Sequence, residues 1–112
     1  MNEEINKEEK ESVSDVLDNY IHELIGIVGF YGKDNQKIKA IEELSELQKE
    51  LCKSFITDNY DKISEEMADC YVMLEQLMII YGNKSQVKDI IKQKIKRTIK
   101  QINSTPSTEK KE

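Results

Sequence analysis

Between Met67 and Tyr81 the chain carries only two charges, Asp69 and Glu75, in fifteen residues, although charged residues make up 35% of the whole. At 100° per residue, Met67, Tyr71, Leu74, Met78 and Tyr81 fall on one stripe of a helix, and Cys70, Met73, Leu77 and Ile80 widen it around one flank. A helix that is apolar nearly all round must be buried on two sides. In a chain of 112 residues the neighbouring helices can cover one side, so the second side predicts a homodimer or homotetramer. The run is too short for the ~20 apolar residues of a membrane span, and no membrane association is expected.

Three further segments share the helical period. The first, Val13 to Phe30, opens with Ser12 and Asp15 at capping-box spacing and meets Gly29 and Gly32 at its end. The second, Asn35 to Phe55, can be capped by Asp34 and sets Ile38, Ile41, Leu44, Leu47, Leu51 and Phe55 on one stripe. The uncharged run belongs to the third, Ile63 to Tyr81, which follows a polar turn at Thr57 to Asp61 and stops at Gly82. The fourth, Gln86 to Ile102, follows Ser85 and carries Val87, Ile90, Ile91, Ile95, Ile99 and Ile102. With 4 Gly and 1 Pro, a many-stranded fold lacks its turn residues. The prediction is an all-α, four-helix, bundle-like domain over residues 12–102, oligomerising through helix faces, with flexible tails at 1–11 and 103–112.

Charge and cysteine usage exclude several classes. The net charge of −5 gives no general attraction to phosphate backbones, so nucleic acid is not an expected partner. The start, Met1 to Glu11, is acidic and has neither the basic nor the apolar region of a signal peptide, which predicts a cytoplasmic protein. Cys52 and Cys70 form no CxxC pair, and His22 is the only histidine. Two reduced, half-buried thiols and a partly buried His22 are expected in place of a zinc site.

The acids are more informative. Glu43 and Glu46, and again Glu66 and Asp69, stand at i, i+3, which puts each pair on one helix face, one turn apart. Antiparallel packing of the second and third segments brings all four together. Their mutual repulsion makes sense if a hard divalent cation neutralises them, and an all-oxygen set favours Mg²⁺ or Mn²⁺ over Zn²⁺. Acids at this spacing are also common on solvated faces, which suits Glu42, Glu50 and Glu65. Asp69 fits that description badly, because it interrupts the least charged run of the chain.

Glu43-Leu44-Ser45-Glu46 followed by Glu66-Met67-Ala68-Asp69 resembles the metal-binding signature of the MazG-type all-α nucleoside triphosphate pyrophosphohydrolases. Tyr31 to Gln36 with Ala40 to Leu44 resembles that family's approach to its first acidic helix, and Glu65 to Gly82 its second, so the likeness spans Tyr31 to Ile102. The resemblance implies an Mg²⁺-dependent enzyme, with Mn²⁺ as a substitute. Such an enzyme cleaves a nucleoside triphosphate or its deoxy form between the α- and β-phosphates, giving the monophosphate and pyrophosphate, and clears the nucleotide pool. It implies Glu43, Glu46, Glu66 and Asp69 as metal ligands and catalytic residues, and Lys94 and Arg97 as contacts to the triphosphate. Many relatives carry an Asn where this chain has Lys92, and often a Trp near the start of the domain, which this chain lacks.

Each assignment has an alternative. Lys94 and Arg97 also suit the solvated, dipole-complementing side of the last helix. Gln36 is a candidate substrate contact or a first-turn residue of its helix, and Tyr31 is one of the aromatic residues available to a base. Met67, Met73 and Met78 read as core or subunit interface. A second reading of the whole chain is a non-catalytic helical interaction or regulatory protein whose acids are surface charge.

Overall fold

The computed structural model describes residues 10–106. Among them all regular structure is helical: α1 (Val13–Asn19), α2 (Ile21–Tyr31), α3 (Lys33–Lys53), α4 (Asp61–Tyr81) and α5 (Lys84–Ser104). No helix among the described residues is long and apolar enough to cross a membrane. The outer parts of the expected tails, residues 1–9 and 107–112, lie outside the described residues. The last helix continues two residues past Ile102, to Ser104.

The capping box forms as the sequence predicts: Asp15 N–H donates to Ser12 Oγ at 3.0 Å, and Ser12 N–H donates to the Asp15 carboxylate at 3.1 Å. The helix expected over Val13 to Phe30 is broken at Tyr20, whose φ of −104° and ψ of 20° leave the helical region. The bonds Tyr20 N–H to Val16 O (3.2 Å) and Leu24 N–H to Tyr20 O (3.0 Å) persist on either side. Hydrophobic periodicity therefore runs straight through the break and gives no sign of it.

Gly32 separates α2 from α3 with φ 91° and ψ 151°, a conformation that is essentially restricted to glycine. Asn35, in the first turn of α3, donates its side-chain amide to Tyr31 O at 2.8 Å and satisfies a carbonyl at the end of α2. Gly32 thus stands where Asp34 was expected as the cap. At the far end of α3, Thr57 to Asp61 makes the expected polar turn, with Asp61 N–H donating to Asn59 Oδ1 at 3.1 Å to start α4. Gly82, at φ 60°, follows α4 as the predicted left-handed stop.

The chain divides into two compact units, Met1–Tyr81 and Gly82–Glu112. In the first, α3 and α4 form an antiparallel hairpin: Gln36 bonds Gln76 while Cys70 reaches Glu43, so partner numbers fall on one helix as they rise on the other. Lys37 Nζ lies 4.9 Å from the centre of the Tyr81 ring near the same end, a cation–π contact. Helix α2 touches both arms of the hairpin. Leu24 and Val28 of α2, Ala40 of α3, and Cys70 and Met73 of α4 are the buried apolar residues.

The hairpin does not close over the stripes that the sequence makes most conspicuous. Helix α3 buries Gln36, Ala40 and Glu50 and half-buries Glu43 and Leu47, whereas Ile38, Ile41, Leu44 and Leu51 remain 43–65% exposed. Helix α4 buries Cys70, Met73 and Gln76 and leaves Met67, Tyr71, Leu74 and Tyr81 45–60% exposed. Ala40, 2% exposed, lies on the buried face, where a small side chain suits close packing. Glu50, expected on a solvated face, is buried beside Lys53, whose ammonium lies 3.4 Å from its carboxylate. The expected half-burial also fails for three residues: Cys52 and His22 are exposed and Cys70 is buried.

The second unit is, among its described residues, the single helix α5 with a short end. It carries Ile90, Ile91, Ile95, Ile99 and Ile102 among lysines, and a lone helix has nothing in its own unit against which to bury such a stripe.

Candidate functional site

The hairpin register sets one turn of α3 beside one turn of α4. Glu43 projects from α3, and Glu66 and Asp69, one turn apart, project from the same side of α4. One carboxylate oxygen of each lies within 4.8 Å of the other two, and all three side chains are half-buried. Cys70 donates its thiol to Glu43 O at 3.5 Å, and Lys39 Nζ lies 3.2 Å from Glu43 Oε1. Glu66 Oε2 is buried and has no hydrogen-bond partner.

Acids this close disfavour one another's ionised forms. Burial pushes the Glu66 carboxyl above the usual carboxylate range, and the charges of Asp69, Glu43, Glu46 and Glu65 push it further. Asp69 is raised by burial, by its hydrogen bond with Glu43, and by the Glu43 and Glu65 charges, with Lys39 opposing. Burial raises the Cys70 thiol, and the charges of Glu43, Glu66 and Asp69 add to it. Lys39 holds its proton more tightly than usual because of its hydrogen bond to Glu43 and that residue's charge. The donor chemistry fits a hard divalent cation: carboxylate oxygens only, close-set, one of them buried without a partner.

Three of the four acids predicted from spacing are thus brought together. Glu46 is exposed on α3 and stands outside the group, although its charge acts on Glu66. Lys94 and Arg97 lie one turn apart on α5, both exposed, in the second unit. Tyr31 and Gln36 line a cleft of about 350 Å³ together with Asn35, Ile38, Lys39 and Glu42. Gln36 is buried there and donates its side-chain amide to Gln76 Oε1 at 2.8 Å, so it also ties the two acid-bearing helices together.

Lys39 was not singled out from the sequence. Its signal was its position four residues before Glu43, which puts both on one face of α3. Glu75, 3% exposed on α4, is likewise marked in the sequence only as a charge in an apolar run.

No family model, no curated protein and no solved structure matches this chain.

Proposed function

We propose that this chain is a divalent-cation-dependent nucleoside triphosphate pyrophosphohydrolase of the MazG type, converting a nucleoside or deoxynucleoside triphosphate to the monophosphate and pyrophosphate. The observation that carries the reading is the group Glu43, Glu66 and Asp69, whose oxygens lie within 4.8 Å of one another; burial first, and the neighbouring acids after it, raise two of the three. A cluster of that kind is stabilised by a cation, and Mg²⁺ or Mn²⁺ suits its oxygens. The three carboxylates would hold the ion, and Glu46, exposed on α3 outside the group, acts on it through its charge. Such an ion, when bound, offsets phosphate charge and makes a coordinated water more acidic.

The chain's own residues have defined tasks in this reading. A carboxylate of the cluster accepts the proton of the attacking water. The cleft beside it, with Tyr31 and Gln36, receives part of the substrate. The assembly is a homodimer or homotetramer, a proposal supported by the exposed positions Met67, Tyr71 and Leu74 on α4 and Ile38 and Ile41 on α3. The same exposed residues favour the second reading, a helical interaction protein with no turnover.

Pyrophosphate release from a panel of canonical and modified triphosphates separates the two. The enzyme reading predicts Mg²⁺-dependent release that Asp69→Asn abolishes while helicity by circular dichroism is kept. Absence of release from every nucleotide would favour the interaction protein.

A further inference from the structure

Lys39 belongs to two places at once. Its ammonium is 3.2 Å from Glu43 Oε1, where the Glu43 side chain is 15% exposed and that of Lys39 is 53% exposed. The same side chain lines the cleft with Tyr31, Asn35, Gln36, Ile38 and Glu42.

The ion pair that holds it is easily exchanged. A lysine placed four residues before a glutamate is the weaker of the two helical orientations, and a half-exposed pair is screened by water and salt. A divalent cation competes for the same carboxylate oxygen with twice the charge and shorter contacts. Once displaced, the ammonium stays on a flexible four-carbon stem that already borders the cleft. Of the residues that line it, Lys39 is the cationic one and Glu42 the anionic one, so an anion entering the cleft depends on Lys39 for its neutralisation.

We propose that Lys39 is an exchangeable counter-ion: it neutralises Glu43 while the acid cluster holds no divalent cation, and it turns into the cleft to bind a phosphate oxyanion when Glu43 is taken by one. The cation and the phosphate group would then bind in order, each making room for the next. This inference rests on the cation-binding reading of the cluster.

Calorimetric titration of Mn²⁺ alone, then of inorganic pyrophosphate into Mg²⁺-saturated protein, tests it on wild type, Lys39→Met and Lys39→Arg, with helicity checked in each. Removing a competing unit charge at this distance should tighten Mn²⁺ binding in Lys39→Met by about three- to tenfold. Pyrophosphate binding should weaken about tenfold or more in the same variant. Lys39→Arg should keep both affinities near wild type. Affinities that stay unchanged in Lys39→Met, or that move in the same direction, would overturn the exchange while leaving the cation site in place. A wild-type protein that binds no Mn²⁺ would overturn the cation reading itself, and the exchange with it.

Discussion

The register that sets Glu43 opposite Glu66 and Asp69 depends on a buried amide pair two turns away. Gln36 is 7% exposed and Gln76 is 2% exposed, with 2.8 Å between Nε2 and Oε1. Gln76→Leu removes the acceptor and leaves the Gln36 amide buried without it, and Gln36→Leu strands the Gln76 carbonyl. Each single change should destabilise the chain by about 1–3 kcal/mol, since an unsatisfied buried polar group loses its full solvation. At roughly 4–8 °C per kcal/mol for a domain near this size, that is a readily measured shift. The double variant replaces both groups with apolar side chains of similar volume and should be no worse than the poorer single. Urea unfolding at 222 nm, at one fixed protein concentration because self-association shifts apparent stability, gives the coupling energy directly. Losses that simply add in the double variant would refute the idea that these amides act as a pair across the hairpin.

Two further outcomes follow from the same geometry. Glu66 and Asp69 have raised proton affinity in the folded chain, so the folded state binds more protons than the unfolded state between the ordinary carboxylate range and those raised values, and stability falls as pH rises through that window. In EDTA the melting temperature should therefore increase as the pH is lowered from neutral toward the ordinary carboxylate range, and the double variant Glu66→Gln/Asp69→Asn should flatten that slope; a wild-type chain that loses stability on the same change would contradict the sign. Cys52 is exposed, whereas Cys70 is buried and its thiol is raised by burial and by three carboxylates, so iodoacetamide at neutral pH should label Cys52 well before Cys70. Equal labelling by peptide mass spectrometry would contradict the burial of Cys70.

The sequence made some of this legible for identifiable physical reasons. Ser12 with Asp15, and Gly82 after a long apolar run, are local signals whose meaning needs no tertiary context, and both hold in the structure. The meeting of Glu43 with Glu66 and Asp69 was readable because i, i+3 spacing fixes a shared face and a short polar turn makes the two helices antiparallel neighbours. What the pattern concealed was which face each helix presents. Apolar density points to Ile38, Ile41 and Leu44 on α3, but the residues that α3 buries or half-buries include Gln36, Ala40, Glu43 and Glu50, of which Gln36 and Glu43 meet partners on α4. Glu50 reads as a solvated charge in the sequence for the same reason: burial belongs to the pair of helices, not to either sequence alone. Glu46 shares the i, i+3 spacing, yet one helical turn further along α3 it falls on the exposed side.

Melting of wild type and Glu66→Gln with and without Mg²⁺ shows whether Glu43, Glu66 and Asp69 form a cation centre. In EDTA the variant, freed of one repelling charge, should melt above wild type. Saturating Mg²⁺ should raise wild type, by about 2.7 kcal/mol of stabilisation at a hundredfold excess over the dissociation constant, and should raise the variant much less, so that the order reverses. If Mg²⁺ moves neither protein, or moves both equally, the three carboxylates are not a cation site.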